Sequence, residues 1–161
     1  MHVKVTAFGL LFLLLTHAIL AQQLPEFSLK DLDNNLQSYD DLKGEQITLI
    51  DFWATWCKPC RKAIPELNKI YDTYKDRGVQ IIGVNCDGPR STAKVAPMAK
   101  SLNIQYPVLL DINSDIMNEL NLANFPALLA VNSKGKVLYI HEGFALGDEV
   151  EIIEVLDELI E

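Results

Sequence analysis

Two cysteines separated by two residues are the most obvious candidates for chemistry in this sequence. Cys57 and Cys60 lie in the segment WCKPC at 56–60, and Cys86 is the third cysteine of the 161-residue chain. A pair at this spacing can cycle between dithiol and disulfide, or supply half of a zinc site. Zinc sites usually have a second Cys/His pair, and here folding would have to bring in Cys86 and His141 instead. The spacing therefore favours redox chemistry.

A buried strand and a helix must hold this pair in place. Residues 46–52 form a compact apolar run rich in Ile and Leu, which is typical of a strand buried on both faces. Residues 58–77 carry apolar side chains at helical spacing, and we expect that helix to kink at Pro65 and to end at Gly78. Residues 79–86 repeat the buried-strand pattern, so a parallel strand–helix–strand crossover is the economical arrangement.

The rest of the chain predicts short strands and helices around this unit. Residues 24–44 are polar and turn-rich, which indicates a short hairpin or an irregular lead-in. Further along, the patterns predict a helix at 92–102 that Pro97 bends or breaks, a strand at 107–110, a helix at 114–122, hairpin strands at 127–131 and 136–141, and an amphipathic helix at 148–160.

The position of Cys57 at the start of a helix should make it the nucleophile. Unpaired backbone N–H groups and the helix dipole favour an anion there, and a thiolate is such an anion. Lys58, Arg61 and Lys62 add positive charge, so we expect the pKa of Cys57 to lie below the free-thiol value of about 8.5. We expect Cys57 to be exposed and to attack a target disulfide, whereas Cys60, one turn further in, resolves the mixed disulfide.

Cys60 needs a proton acceptor for its step because it is the weaker acid. Asp51 ends the buried strand just before the loop, and it is the nearby carboxylate that can accept this proton. Burial would raise the pKa of Asp51 towards neutrality, which suits the exchange. Trp53 and Trp56 flank the same loop, and we interpret both first as packing residues, with Trp56 as a secondary exposed contact for client proteins.

The chain resembles a known family in this region. The features that carry the likeness are the segment DFWATWCKPC at 51–60 followed by Pro65, the strand IIGVN at 81–85, the long segment 87–124 and the dipeptide Phe125-Pro126. The first of these resembles the active-site stretch of thioredoxins. Together with an export-type amino terminus, the others resemble the TlpA/ResA-like branch, the extracytoplasmic thiol–disulfide oxidoreductases of bacteria.

This resemblance implies an α/β protein with a thioredoxin fold. The expected architecture is a central mixed β-sheet flanked by helices, with an N-terminal hairpin extension and a helical insertion before the cis-Pro strand. The expected activity is disulfide reduction in exported proteins without a cofactor. By the same resemblance Cys57 is the nucleophile, Cys60 the resolving thiol and Asp51 the buried acid.

The resemblance also implies where a substrate binds. Pro126 would be the cis-proline that faces the disulfide, and the backbone of Phe125 would be the edge against which a substrate chain pairs as an added strand. Trp56, Lys58 and Pro59 complete the predicted substrate-binding residues. The expected partners are disulfide-containing or thiol client proteins and a membrane thiol-relay protein as electron donor, and we expect a monomer.

Three positions depart from the family pattern. Ala127 follows Pro126 where the family usually has Thr, which affects substrate selection at the groove. ResA-like members have a Glu shortly after the CxxC, but Ala63 stands there, so the buried acid must be Asp51. Gly83 stands where thioredoxin has a Lys partner for its Asp, so a proton relay would lack that cation.

The first 21 residues have the layout of a secretory signal peptide, since Lys4 is the only charged residue and an apolar stretch covers 5–15. We expect a signal peptide at 1–21, a thioredoxin-like domain at 22–161 and a periplasmic protein, with an uncleaved membrane anchor as the alternative. Removing Lys4 from the 14 basic residues leaves 13 against 22 acidic ones, so nucleic acid is not an expected partner.

Other functions stay open at this point. A thiol peroxidase on the same fold needs a Thr three residues before the reactive cysteine, where Ala54 stands. A copper- or zinc-binding module would use Cys57 and Cys60, although copper chaperones on this fold tend to space their cysteines CxxxC; no metal site is predicted. Cys86 is interpreted as a small buried residue, with a redox role as the alternative because it should reach the same rim of the sheet as Cys57.

Overall fold

A seven-stranded mixed sheet lies at the centre of the structure, a computed structural model that describes residues 22–160. Its strands are β1 (Ser28–Asp31), β2 (Leu36–Ser38), β3 (Ile47–Trp53), β4 (Val79–Asn85), β5 (Val108–Leu110), β6 (Ala127–Asn132) and β7 (Val137–Glu142). They are ordered β2-β1-β5-β4-β3-β6-β7 across the sheet. The strands β3, β4 and β5 run parallel, whereas β1 and β2 at one edge and β6 and β7 at the other pair antiparallel.

Five helices cover the two faces of this sheet. They are α1 (Tyr39–Leu42), α2 (Lys58–Tyr74), α3 (Val95–Ser101), α4 (Asp115–Glu119) and α5 (Asp148–Leu159). Side chains of α2, α3 and α5 pack on one face, and those of α1 and α4 pack on the other. The order of elements and the two helical layers are those of a thioredoxin fold with a hairpin added before β3 and an insertion added before β6.

The predicted strand–helix–strand crossover is confirmed. All residues of β3 are buried, and β3 pairs in parallel with β4 along its whole length. The helix α2 continues through Pro65, and a turn of 3-10 helix at Lys75–Arg77 extends it to Gly78. Gly78 has a φ of 80°, a left-handed conformation that Gly adopts at a helix end without steric cost.

The insertion between β4 and β6 contains the predicted helices and strand, with one refinement. The predicted helix at 92–102 is divided into a 3-10 turn at Thr92–Lys94 and α3. Pro97 is the third residue of α3, where a backbone N–H has no acceptor within the helix, so the proline is tolerated there. The predicted amino-terminal hairpin is β1–β2, and the predicted hairpin after the insertion is β6–β7.

The predicted signal peptide at 1–21 lies outside the described residues. Between residues 22 and 160, none of the helices combines the length and the apolar character needed to cross a membrane.

Candidate active site

The two cysteines of the CxxC segment form a disulfide at the amino terminus of α2. Cys57 is the N-cap of this helix, and its Sγ accepts a hydrogen bond of 3.1 Å from the backbone N–H of Cys60. Pro59 fits the first turn because its missing N–H would have no helical acceptor there. The Cα atoms of the two cysteines are 5.4 Å apart, well within disulfide reach.

The accessibility of the two sulfur-bearing residues differs from the prediction. We expected Cys57 to be exposed, but in the disulfide form only 3% of its surface is accessible, against none for Cys60. Burial follows from the bond to Cys60 and from packing with Trp53 and Ile64. Cys57 is nevertheless the less buried residue of the pair.

Positive charge surrounds the start of α2. Lys58, Arg61 and Lys62 are exposed, and none of them is in an ion pair within residues 22–160. The first turn of α2 holds no acidic residue. Cations at a helix amino terminus oppose the helix dipole, so they do not stabilise the helix itself. They favour an anion at Cys57, which is the form in which a thiol attacks.

Asp51 is buried on the face of the sheet that α2 covers. Only 1% of its surface is accessible, and burial raises its pKa from the ordinary value of 3.8 to about 7. Neither carboxylate oxygen has a hydrogen-bond partner, although the nearby hydroxyl of Tyr106 acts against the rise in pKa. Two residues later on the same side of β3, Trp53 packs with both cysteines. A carboxyl group here changes its protonation state near neutral pH.

The Phe125–Pro126 peptide bond is cis, as the resemblance implied, and it lies at the start of β6. The Phe125 ring packs edge-on against Trp56, with ring centroids 5.3 Å apart, so this segment stands beside the CxxC loop. Trp56 is 64% exposed, which corrects our first interpretation of it as a packing residue. Trp53 is fully buried and is a packing residue as predicted.

Asp87, a residue that the sequence analysis did not identify, fixes the segment that leads into the CxxC loop. The buried carboxylate of Asp87 accepts hydrogen bonds from the backbone N–H of Thr55 (2.7 Å), from the Thr55 hydroxyl (2.8 Å) and from the side-chain amide of Asn85 (2.9 Å). Thr55 lies two residues before Cys57, so Asp87 fixes the approach of the chain to the nucleophile. The sequence did contain a signal for this role, because Asp87 is an acidic residue directly after a buried strand, at the sheet edge where the parallel strands end.

Cys86 does not join the CxxC pair. It packs with Ile82 and Val84 in the cluster beneath α1 and α4, on the opposite face of the sheet from Cys57 and Cys60. Burial raises the pKa of its thiol well above the ordinary range. This position agrees with the interpretation of Cys86 as a small buried residue. Although Cys86 follows β4 at the same end of the sheet as Cys57, its side chain points to the other face and does not reach the disulfide.

No cluster of three or more His, Cys, Asp or Glu side chains suited to a metal ion occurs in the described part of the chain. Ala54, three residues before Cys57, contributes only its carbonyl, which accepts a hydrogen bond of 3.0 Å from the Cys57 N–H. A hydroxyl for a peroxidase site is therefore missing at that position.

Comparison with known proteins places this geometry in a family. The AhpC/TSA family model matches residues 20–140. The chain belongs to the AhpC/TSA family. A thioredoxin-like relative, YneN of Bacillus subtilis, is 35% identical over 134 residues, which is 81% of this chain and 75% of YneN. The thiol–disulfide oxidoreductase ResA of Geobacillus kaustophilus is 31% identical over 127 residues, covering 79% of this chain and 71% of ResA.

Solved structures agree with this assignment. A protein of Chlorobium tepidum provisionally named thiol:disulfide interchange protein DsbE superposes with a TM-score of 0.81 at 25% identity, covering 88% of this chain and 97% of the other. ResA is a thiol–disulfide oxidoreductase, and the Cys57–Cys60 disulfide of this chain supplies the matching chemistry. This AhpC/TSA member is a thiol–disulfide oxidoreductase of the thioredoxin fold, and the peroxidase and metal-binding alternatives are not favoured.

Proposed function

We propose that the protein reduces disulfides in exported client proteins by cycling Cys57 and Cys60 between dithiol and disulfide. The observation that carries this proposal is the buried Asp51, whose pKa of about 7 lets it accept and release a proton behind the disulfide near neutral pH. The direction is proposed from the likeness of Asp51 and of Pro59, just before Cys60, to the thioredoxin active site. The net direction of electron flow is set by the reduction potential of the Cys57–Cys60 pair against that of its compartment.

In the first step the Cys57 thiolate attacks one sulfur of a client disulfide. A bond forms between Cys57 Sγ and that sulfur, the client S–S bond breaks, and the departing client thiolate takes a proton from solvent. The exposed cations Lys58, Arg61 and Lys62 and the helix amino terminus favour the attacking thiolate. The backbone of Phe125 and the exposed Trp56 ring beside it offer the client a docking edge next to the sulfur.

In the second step Cys60 releases the client. Its thiol gives a proton to the Asp51 carboxylate, and the resulting thiolate attacks Cys57 Sγ to form the internal disulfide. The bond between Cys57 and the client breaks, and the second client thiolate is protonated in turn by Asp51 or by solvent. The client thus gains two electrons from the Cys57–Cys60 pair. Of its two protons, one comes from solvent and the other from Asp51, which received it from Cys60, or from solvent.

The cycle needs a donor that returns two electrons to the Cys57–Cys60 disulfide. We propose that the protein acts outside the cytoplasm, where a membrane thiol-relay protein fills this role, and that it acts as a monomer. The predicted signal peptide at 1–21 supports export.

The test is to trap the intermediate. The variant Cys60→Ala should hold clients on Cys57 as mixed disulfides that a reductant releases, and Cys57→Ala should hold none. Equal trapping by the two variants would overturn the assigned order. A redox titration tests the direction: a midpoint near about −270 mV supports a reductase, and a midpoint near about −120 mV would mark an oxidant.

A further inference from the structure

The region around Asp51 gathers every buried polar side-chain atom that lacks a hydrogen-bond partner within residues 22–160. The four atoms are Oδ1 and Oδ2 of Asp51, the indole Nε1 of Trp53 and the hydroxyl oxygen of Tyr106. Buried polar groups without partners are uncommon in proteins because each costs desolvation free energy. Four of them at one place, behind a redox disulfide, indicate a functional arrangement and not a packing defect.

Gly83 explains why these groups meet. It lies directly opposite Asp51 in the β3–β4 register. A Cβ atom at this position would be 3.2 Å from Cε2 of Tyr106 and 3.3 Å from Nε1 of Trp53. The space that a side chain on β4 would fill beside Asp51 is therefore taken by the Tyr106 ring and the Trp53 indole.

Tyr106 reaches this place from the insertion, just before β5. Only 4% of its surface is accessible, and its ring packs edge-on against Tyr71 with centroids 6.1 Å apart. The hydroxyl and the Asp51 carboxyl influence each other, since the pKa of Tyr106 is raised by burial first and then by the charge of Asp51. No basic side chain pairs with Asp51 in the described residues. The two unpartnered donors nearby are the Trp53 indole N–H and the Tyr106 hydroxyl, and of these the hydroxyl is the one that lowers the pKa of Asp51.

We propose that Tyr106 is a positioning residue for the proton acceptor: its hydroxyl donates a hydrogen bond to the Asp51 carboxylate while that carboxylate waits for the proton of Cys60. The proposal rests on the proposed role of Asp51. The hydrogen bond stabilises the charged form, keeps more of Asp51 ionised at neutral pH and is relaxed once the Cys60 proton arrives. Tyr106 gains and loses no proton in this step, so the proton count of the two-step reduction is unchanged.

The experiment compares Tyr106→Phe with the unmodified protein. Reduced protein is mixed with oxidised glutathione, and the release of the second glutathione, which reports the attack by Cys60, is followed across neutral pH. Without the donor the pH midpoint should rise by about one unit, the shift expected for one hydrogen bond to a charged group. At neutral pH the rate should then fall about fivefold, because fewer Asp51 side chains are ionised. Tyr71→Phe, which removes a hydroxyl from the adjacent ring, is the matched control and should keep the original midpoint.

The variant Asp51→Asn distinguishes a failure of the proposed role of Asp51 from a failure of the role of Tyr106 alone. If this variant keeps the original pH profile, the role of Asp51 fails and the role of Tyr106 fails with it. If Asp51→Asn abolishes the pH dependence but Tyr106→Phe leaves the midpoint in place, only the role of Tyr106 is overturned. Adding Tyr106→Phe to Asp51→Asn should have no further effect on the rate. A carbon-13 NMR titration of the Asp51 carboxyl in both backgrounds gives the shift directly.

Discussion

Two carboxylates flank the CxxC loop, and they are equally buried but differently bonded. Asp51 lies in β3, and Asp87 lies just after the neighbouring strand β4. Each exposes 1% of its surface. Asp87 accepts three hydrogen bonds, two of them from Thr55. Asp51 accepts none. The same chemical group at the same depth therefore has two opposite patterns of hydrogen bonding.

This difference gives the two residues different roles: Asp87 is an anchor that holds Thr55 in place, and Asp51 is a group that can change its protonation state. A buried carboxylate with three hydrogen-bond donors holds in place the residues that donate to it. A buried carboxyl group whose oxygens are unpartnered, as those of Asp51 are in the disulfide form, is costly to ionise, so it holds its proton until the pH nears neutrality. The loop is thus fixed on the Asp87 side and is free to exchange a proton on the Asp51 side. Measurements of stability should distinguish the two roles.

The largest expected effect is the pH dependence of stability that Asp51 imposes. The folded protein keeps the Asp51 proton up to about pH 7, whereas the unfolded chain releases it near 3.8. The folded state therefore binds more protons between these values, and the free energy of unfolding falls as the pH rises through that window, by about 4 kcal/mol in all. In the oxidised protein, Asp51→Asn should lack this contribution, and its stability relative to the unmodified protein should increase from pH 4 to pH 7 in denaturant titrations. A difference that stays constant with pH would contradict the assignment.

Removing the anchor should have the next largest effect, with the opposite sign. Asp87→Ala leaves the donors of Thr55 and Asn85 without their acceptor, and we expect the free energy of unfolding to fall by about 3 kcal/mol. Urea unfolding at neutral pH measures it. Asp76→Ala, at an exposed acid, is the control and should change stability by less than about 0.5 kcal/mol. If Asp76→Ala and Asp87→Ala lowered the free energy of unfolding equally, Asp87 would not be an anchor of the loop.

The smallest effect tests a single bond of the anchor. Thr55→Val keeps the shape of the side chain and the backbone bond to Asp87 but removes the 2.8 Å hydroxyl bond. We expect a loss of about 1.5 kcal/mol, because one bond to a charged acceptor is lost and the other remains. Thr73→Val, at an exposed helical threonine, serves as the reference in the same unfolding experiment. An effect as large as that of Asp87→Ala would mean that Thr55 acts through something other than this bond.

Most of the fold was predictable because its signals are local. The apolar runs at 46–52 and 79–86 and the helical spacing between them required only a few residues of context, and the crossover followed from them. The division of the helix at 92–102 was less predictable in detail, since a proline permits either a bend or a new start. Val95 and Ala99 of α3 pack in one cluster with Ile64 of α2, a long-range contact that the local pattern does not show.

The site was predictable only in part, for a related reason. Cys57, Cys60 and Asp51 lie in one stretch of ten residues, and the strand and helix around them show how each is presented. The burial of Cys57 depended on the disulfide and on packing with Trp53 and Ile64. The exposed Trp56 ring contacts Phe125, which comes from the segment before β6. Local spacing carries no information about such a partner.

The sequence by itself determined the reactive pair, its place between a buried strand and a helix, and the acid in that strand. Only the tertiary structure decided what surrounds the acid: Gly83 opposite it, Tyr106 filling the space, and Asp87 holding Thr55. It also placed Cys86 on the far face of the sheet. The physical reason is distance along the chain, because these contacts join residues more than 30 positions apart. The pairing of β3 with β4 and of β4 with β5 brings them together.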